Sequence, residues 1–348
     1  MESEIKNAME LFTHTNSLPK IDLHCHLFGS IRKQTLLDLL PDKDKVKLDD
    51  YYKKMDYANA FNFFAITNQI ANDLTNVKRI TKEVIEDWNK HNTIYLEIRT
   101  TLKKTDKYSM TDYLNAVLTE IDYGNNNYNM ITRLIISLNR SRDLTEYEEV
   151  INVYKNYNNA DLKKLIVGID YCGYENNDSH SYKEMLPIFN ELRIMGLKIT
   201  IHMGECPNYQ SFPFNEFIPD RVSHCYFFND NDYNEVMKRN IPIEVCPTSS
   251  YITTKAITYS EIPMKNFYNK TVKNMNQEDM VYKRVCFCTD DTMLFLSDIS
   301  QEYFEVAEAF KISIKELKEI VYNSIDFIFE SNEEIRNKLR NKLEHYYI

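Results

Sequence analysis

The chain has 348 residues, of which 43% are hydrophobic, so it can bury a large core in one big domain or two smaller ones. Its formal net charge of −10 argues against a surface that binds nucleic acid or an anionic membrane, because those partners need a basic face. It has no run of about 18 apolar residues, its N-terminus resembles no targeting peptide, and its seven cysteines follow no disulfide-like spacing. We therefore expect a cytoplasmic monomer with reduced thiols that acts on a small molecule.

The first predicted strand, residues 20–26, contains two histidines. Side chains on a strand alternate between its faces, so His24 and His26 point the same way and Cys25 points the opposite way. Neutral imidazole binds Zn²⁺ well, and two imidazoles on one face are a natural start for a metal site. Because two histidines at this spacing are also common by chance, the pair alone does not establish one.

Apolar strands and helical patterns alternate along the rest of the chain. A long connection, about residues 30–92, contains helical stretches at 31–40, at 57–70 and around Trp88. Later strands are predicted at 93–100, 132–138, 165–170, 197–202, 221–224, 241–246 and 284–289. Helices are predicted between them, for example at 110–121, 147–157 and 181–195, and at the C-terminus, at 301–312, 314–329 and 332–346.

Eight strands separated by helices are the number expected of a (β/α)8 TIM barrel. Most of the strands are continuous apolar runs, as expected of parallel strands that are covered on both faces. An open doubly wound sheet is the alternative, but the first strand is not followed by the GxGxxG of its dinucleotide-binding version. We predict an α/β fold in which residues 1–348 form a single TIM-barrel domain, with extra helices between the first two strands and at the C-terminus.

Polar residues cluster where the predicted strands end. In barrels of this type the chemistry lies at the C-terminal ends of the strands. At or just after those ends the chain has His24, His26, Gly173, His202, Glu205, His224, Asp290 and Asp291. Four of the eight histidines in the chain are in this set. One histidine after an apolar run is usually structural, but four of them with three carboxylates indicate a functional site.

Some of these residues also have ordinary structural explanations. Gly204 lets the backbone turn sharply, so Glu205 can lie over the barrel mouth and transfer protons. Glu205 can alternatively cap a helix or lie on the surface. Asp290 and Asp291 directly end an apolar strand, although Asp also favours the starts of helices.

Three further stretches have two interpretations each. Aromatic residues at 61–64 fit a flat apolar pocket or, more simply, a helix packed on the core. The hydroxyl side chains at 248–250 fit a binding site or a turn. Cys286 and Cys288 fit small buried residues better than metal ligands.

Five segments resemble the adenosine deaminase branch of the metal-dependent amidohydrolases. In the family's order they are 18–26 (LPKIDLHCH), 202–205 (HMGE), 220–224 (DRVSH), 241–250 (IPIEVCPTSS) and 288–291 (CTDD). Together they are highly specific and extend over nearly the whole chain. Within the family, residues 99–101, 204–208 and 299–303 look closer to the adenosine deaminase-like proteins that act on N6-methylated AMP than to adenosine deaminase itself.

The resemblance implies one Zn²⁺ per chain and hydrolytic deamination at C6 of a purine. The zinc ligands would be His24, His26, His202 and Asp290, with a position left for a water whose pKa zinc lowers to roughly 7. His224 would orient that water and take its proton. Glu205 would protonate N1 of the purine. Asp291 would hydrogen-bond N7, and the backbone N–H of Gly173 would meet N3. The H-x-E and P-C-x-x-C signature of cytidine-deaminase-type enzymes is absent.

The resemblance breaks at the 5′ end of the expected substrate. Adenosine deaminase has an Asp, and the methyl-AMP branch typically an Asn, at the position before the glycine of the opening motif, where this chain has Phe28. This replacement weakens a nucleoside interpretation, because a free 5′-hydroxyl loses its polar partner. Lys103 and Lys104 could meet a 5′-phosphate as point charges, or they could be solvated loop lysines.

The leading hypothesis is a deaminase that converts N6-methyl-AMP to IMP, with Phe28 and Lys103 at the substrate's 5′ end. The nearest alternative is adenosine deaminase, which converts adenosine to inosine. A non-catalytic purine-binding protein is disfavoured, because a pure binder needs no proton donor beside a metal. A two-metal amidohydrolase is a further alternative, because Asp170 ends the fourth strand, where such enzymes often have a bridging carboxylate.

Overall fold

A computed structural model describes residues 2–52, 55–175 and 180–347. Its strands are β1 Lys20–His26, β2 Thr93–Thr100, β3 Ile131–Asn139, β4 Ile166–Cys172, β5 Lys198–Met203, β6 Arg221–His224, β7 Ile243–Val245, β8 Thr271–Lys273, β9 Asp279–Val281 and β10 Val285–Phe287. Eight of them pair in parallel in the order β1-β2-β3-β4-β5-β6-β7-β10, and β8 and β9 form a separate antiparallel hairpin.

The sheet closes on itself just beyond the ends of β10 and β1. Cys25 and Asp290 form a parallel bridge, in which the His26 N–H donates to the Asp290 carbonyl at 2.9 Å and the Asp290 N–H donates to the His24 carbonyl at 2.8 Å. The eight strands are therefore a barrel and not an open sheet. The TIM-barrel prediction is confirmed, and the doubly wound alternative is wrong.

Helices surround this barrel. They are α1 Glu2–Ser17, α2 Lys33–Leu39, α3 Asp42–Tyr52, α4 Tyr57–Thr67, α5 Leu74–Lys90, α6 Met110–Asn127, α7 Leu144–Asn156, α8 Ala160–Lys163, α9 Tyr182–Ile194, α10 Asp230–Lys238, α11 Pro247–Thr253, α12 Thr292–Phe295, α13 Ile299–Phe310, α14 Ile314–Ser324 and α15 Glu333–Tyr347. Short 3-10 turns occur at Leu27–Gly29, Asn68–Asn72, Tyr259–Glu261 and Pro263–Asn266. None of the described helices combines the length and apolar character needed to cross a membrane.

Helix α5 shows how the sequence specifies these elements. Asp73 caps its first turn by accepting a hydrogen bond from the Thr75 N–H at 2.8 Å. Its buried positions recur every three or four residues from Val77 to Trp88, so one apolar face packs against the barrel. The extra helices predicted between the first two strands are therefore present, with α3 as an additional one.

Three differences from the predicted elements have local causes. Helices α1 and α3 were not predicted because polar residues dominate their sequences. Strands β8 and β9 were missed because they are short and exposed, so they lack the apolar run that marks the equally short β7 and β10. The helix predicted to continue to residue 329 ends at Ser324. The residues beyond it bind the underside of the barrel, where Phe327 O accepts from Arg221 Nη1 at 2.7 Å and the Phe329 N–H donates to Glu97 Oε1 at 2.7 Å.

The lower part of the barrel interior contains buried charges. Arg221 donates to Glu97 Oε2 at 2.5 Å and to Glu244 Oε1 at 2.6 Å, and Arg99 donates to the other oxygen of Glu244. Burial raises the pKa of Glu244, but the two guanidinium groups outweigh that effect and hold the pKa well below its usual range. Glu244 is therefore an anion directly beneath the ends of the strands.

Candidate metal centre and substrate cavity

Four of the predicted ligand residues converge at the C-terminal rim of the barrel. His24 Nε2 lies 3.1 Å from His26 Nε2, which lies 3.2 Å from His202 Nε2. Asp290 Oδ1 lies 3.3 Å from His24 Nε2 and 3.4 Å from His26 Nε2. Ligands about 2.0–2.1 Å from a tetrahedral metal are separated from each other by roughly 3.3–3.4 Å. The spacing of these atoms therefore fits one tetrahedral metal ion.

Buried carboxylates orient two of the imidazoles. His24 Nδ1 lies 2.9 Å from Glu244 Oε2, and His202 Nδ1 lies 2.9 Å from Asp170 Oδ1. A carboxylate beside Nδ1 favours the tautomer with the proton on that nitrogen, which leaves the Nε2 lone pair directed toward the centre of the four atoms. In both rings the carboxylate thus lies beside Nδ1, and Nε2 is the nitrogen that faces the other candidate ligands.

Asp170 contacts the candidate ligand His202 through the ring nitrogen that faces away from the other candidate ligands. Its Oδ1 accepts from His202 Nδ1 and, at 3.2 Å, from Arg99 Nη1, and its Oδ2 accepts from Ser137 Oγ at 3.0 Å. These contacts place Asp170 behind His202, on the side away from His202 Nε2. Asp170, His26 and His202 nevertheless place ligand atoms within 4.8 Å of one another, so the two-metal alternative is left to the measurement of metal content proposed below.

His224 lies beside the four-atom set with one free nitrogen. Its ligand atom lies within 4.8 Å of those of His24, His202 and Asp290. Its Nδ1 is 2.7 Å from Tyr226 Oη, which donates its own proton to the Cys246 carbonyl at 3.1 Å. The tyrosine oxygen must therefore accept from Nδ1–H, so His224 Nε2 keeps its lone pair.

The Nε2 atom of His224 is buried close to Glu205. His224 Nε2 has no hydrogen-bond partner among the described residues and lies 3.7 Å from Glu205 Oε1. His224 has a left-handed backbone, with φ +67°, which directs its ring back over the barrel mouth. Sequence reasoning identified His224 but missed Tyr226, two residues later, although its position so close to a candidate residue was a usable signal.

Glu205 lies over the mouth as predicted from the preceding glycine. Gly204 has a left-handed φ of +62°, and a Cβ there would meet the Phe228 ring at 2.6 Å, so only glycine fits this turn. In the metal-free chain, burial and then the charge of Asp290 raise the pKa of Glu205 to about 8. Glu205 is therefore a buried carboxylic acid that keeps its proton at neutral pH.

Asp291 is a second carboxyl group that favours its protonated form. Burial and the adjacent Asp290 raise its pKa well above the usual range, and its Oδ1 has no hydrogen-bond partner in the described part of the chain. A Cβ on Gly29 would lie 1.5 Å from this oxygen. The glycine of the opening motif is therefore required for Asp291 to approach the site.

Glu205 and Asp291 line one cavity of about 600 Å³, together with the candidate ligands His26, His202 and Asp290. This volume is ordinary for a site that encloses a small organic ligand. Of the predicted substrate residues, the cavity brings together Gly173, Asp291, Phe28 and Lys103. Gly173 has φ +101°, and a Cβ there would meet Asn139 Oδ1 at 2.6 Å. The strand therefore ends in a turn that only glycine can form.

Basic side chains line the part of the cavity next to Phe28, and burial, followed by the charge of Arg142, lowers the pKa of one of them, Lys103, to about 7. Lys103 Nζ is 3.6 Å from the centroid of the Phe28 ring and donates to Asn68 Oδ1 at 2.6 Å. Lys104 forms a salt bridge with Glu149, as a solvated loop lysine would. Lys103 therefore points into the cavity. Lys104 is engaged by Glu149 and is not assigned a contact with the substrate.

The structure shows where the three stretches that had two interpretations each lie, namely the aromatic residues at 61–64, the two cysteines of the last barrel strand and the hydroxyl residues at 248–250. Phe63 is fully buried in the core, whereas Phe64 lines the cavity, so the aromatic stretch does both. Cys286 and Cys288 are fully buried, with their sulfurs 3.8 Å apart, and lie away from the four ligand atoms, as the core interpretation predicted. Residues 248–250 begin helix α11 and are buried.

Comparison with known proteins places this site in a family. Residues 19–346 match the family described as adenosine deaminase. The chain is 30% identical to N6-mAMP deaminase of Arabidopsis thaliana, with 93% of this chain and 96% of the relative covered. It is also 30% identical to adenosine deaminase of Clostridium kluyveri, with 92% of each covered. The crystal structure of Arabidopsis ADAL with IMP superimposes with a TM-score of 0.81 at 28% identity, over 95% of this chain and 97% of that one. The chain belongs to the adenosine deaminase family.

Proposed function

We propose that this chain is a zinc-dependent hydrolytic deaminase of purine nucleoside monophosphates, which converts N6-methyl-AMP to IMP and releases methylamine. The observation that supports it most is that one cavity combines the four candidate ligand residues with two buried carboxyl groups, Glu205 and Asp291, whose pKa values are raised by burial. Hydrolysis at C6 needs an activated water molecule, which a bound metal would supply, and hydrogen-bond donors to the purine, which the two carboxyl groups would supply.

The proposed metal is one zinc ion. Three imidazole nitrogens and one carboxylate oxygen are a donor set that zinc favours, and the ion can expand to a fifth position that would take a water molecule. His24, His26, His202 and Asp290 would hold it. Zinc bound there lowers the pKa of a water molecule to about 7 and so supplies the nucleophile at neutral pH.

His224 is proposed to manage the proton of that water. Its Nε2 is the only ring nitrogen of His224 with an available lone pair, because Tyr226 fixes the proton on Nδ1. It can accept the water's proton as the oxygen adds to C6. The same nitrogen can return this proton to the methylamine as the bond between C6 and the exocyclic nitrogen breaks. The proton left on the C6 oxygen then returns to the Glu205 carboxylate as the carbonyl of IMP forms.

The purine ring is proposed to be recognised by three donors. N1, N3 and N7 of a purine are all hydrogen-bond acceptors, so a matching site must present protons to them. Glu205 protonates N1 as water adds to C6, Asp291 donates to N7, and the backbone N–H of Gly173 donates to N3. The raised pKa values of Glu205 and Asp291 suit these donor roles.

The preference for a nucleotide is inferred from the outer end of the cavity. The chain is equally identical to an N6-mAMP deaminase and to an adenosine deaminase, so overall similarity does not distinguish the two substrates. The ammonium group of Lys103 suits a 5′-phosphate, whereas Phe28 offers no hydrogen bond to a free 5′-hydroxyl. The structure of Arabidopsis ADAL with IMP is consistent with a monophosphate ligand in a related protein.

Metal content tests the proposed centre. Purified protein should contain about one zinc per chain by elemental mass spectrometry. Asp290→Ala should lose most of it, because one of four ligands is removed. Asp291→Asn is the matched control on the neighbouring residue and should keep its zinc. Two metal equivalents in the wild type would contradict a mononuclear site and favour the two-metal alternative.

Substitution of the proposed acid tests the chemistry. Glu205→Gln keeps the size of the side chain but cannot protonate N1, so turnover should fall by about 10³-fold or more. Zinc content and melting temperature should remain close to those of the wild type. A Glu205→Gln variant that retains substantial activity would refute the assigned role.

A panel of four substrates tests the substrate class. We expect N6-methyl-AMP to be the best substrate by kcat/KM when it is compared with AMP, adenosine and N6-methyladenosine. Release of IMP or inosine is followed by ultraviolet absorbance and chromatography. Faster turnover of the two compounds without a phosphate would overturn the nucleotide assignment and support adenosine deaminase activity.

A further inference from the structure

Three separate segments meet at the Phe28 ring. Phe28 is 7% exposed and lies in the 3-10 turn Leu27–Gly29, directly after a proposed metal ligand. Lys103 follows β2, and Asn68 begins the 3-10 turn after α4. The Lys103 ammonium lies 3.6 Å from the ring centroid and donates to the amide oxygen of Asn68 at 2.6 Å. The ring and the amide together hold this flexible side chain across the cavity.

These contacts of Lys103 include no anion, so an anionic ligand placed beside it would favour its ammonium form. Among the described residues, no carboxylate lies within salt-bridge distance of Lys103, whereas the neighbouring cations Lys104 and Arg142 pair with Glu149 and Glu146. A ring face attracts a cation without cancelling its charge, and Asn68 is a neutral acceptor. An ammonium group has three N–H donors, so donors remain for a ligand.

A carboxylate or amide at position 28 would act differently. An Asp there would form a salt bridge with Lys103 and reduce its attraction for an anion. An Asp or Asn could also hydrogen-bond a free 5′-hydroxyl, which a phenyl ring cannot do. The aromatic side chain thus favours an anionic group and disfavours a hydroxyl at the same place.

We propose that Phe28 is a positioning residue that sets the preference for a 5′-phosphate over a 5′-hydroxyl by holding Lys103 in the cavity. This inference rests on the proposed nucleotide substrate. Phe28 acts on the phosphate through Lys103 and makes no polar contact with it. Its effect therefore belongs to the binding of the phosphate and not to the chemistry at C6.

The test is a double-mutant cycle on the zinc-loaded, full-length enzyme. The variants are Phe28→Leu, Phe28→Met, Phe28→Tyr, Lys103→Met and the combination of Phe28→Leu with Lys103→Met. Lys107→Met, an exposed lysine in the same loop, is the matched charge control. The readout is the ratio of kcat/KM for N6-methyl-AMP to that for N6-methyladenosine, with kcat and KM reported separately.

We expect Phe28→Leu and Phe28→Met to lower this ratio about 3- to 10-fold, because each variant removes a cation–π contact. The loss should come from a higher KM for the nucleotide, with kcat little changed. Phe28→Tyr, which restores a ring, should recover most of the preference. Lys103→Met should lower the ratio further, and adding Phe28→Leu to it should produce no additional loss. Lys107→Met should leave the ratio unchanged.

Two failures can be told apart. If the wild type shows no preference for the nucleotide, the proposed substrate class is wrong. If the wild type prefers the nucleotide but Phe28→Leu or Phe28→Met leaves the ratio unchanged, or lowers it equally with and without Lys103, the positioning role of Phe28 is overturned. Melting temperature and zinc content identify a misfolded variant. If Phe28→Leu misfolds, Phe28→Met decides the outcome, and if Phe28→Met misfolds, Phe28→Leu decides it.

Discussion

The closure of the barrel is the constraint on which the candidate site depends. The backbone N–H and carbonyl of Asp290 are both engaged by β1, at 2.8 Å from the His24 carbonyl and 2.9 Å from the His26 N–H. Two hydrogen bonds to one residue fix the register between the first and last barrel strands. Because side chains alternate along a strand, a slip by one residue would present Cys25 in place of a histidine. The same contacts that close the fold therefore bring together ligands from opposite ends of the chain.

The geometry at Asp290 adds to this constraint. Asp290 has φ +65°, in the left-handed region that non-glycine residues seldom occupy. This backbone conformation accompanies the placement of Oδ1 3.3–3.4 Å from two histidine nitrogens. Strain of this kind persists where the surrounding structure over-determines it, and here the bridge to β1 provides that support. Asp290 and Asp291 also point to different parts of the site, one to the ligand set and one to the cavity.

Beneath the ligands, a layer of buried charge connects the site to the rest of the chain. Glu244 touches the imidazole of His24 on one side and the guanidinium groups of Arg99 and Arg221 on the other. Arg221 in turn donates to the Phe327 carbonyl of the C-terminal segment. Removing one partner from such a buried network leaves an uncompensated charge, which typically costs about 3–5 kcal/mol. The network thus keeps Glu244 ionised where it can orient a metal ligand.

The barrel and the cluster of polar residues at its rim were predicted from short-range patterns in the sequence, whereas the four-ligand set was predicted from the resemblance to the adenosine deaminase family. Continuous apolar runs indicate parallel strands, and polar residues just after those runs must meet at one rim. Other features depend on contacts between distant segments. The pairing of Lys103 with Phe28, and the roles of Asp170 and Glu244 behind the histidines, could not be read from single strands. Tyr226 was missed because its contact with His224 requires the left-handed backbone at that histidine.

The central claim is that the seam of the barrel builds one metal site from four defined atoms. Anomalous diffraction at the zinc absorption edge, from crystals of zinc-loaded protein, tests it most directly. The account predicts one peak, about 2.0–2.1 Å from Nε2 of His24, His26 and His202 and from Oδ1 of Asp290. A second peak, or a single peak displaced to the neighbouring group formed by His26, His202 and Asp170, would contradict it.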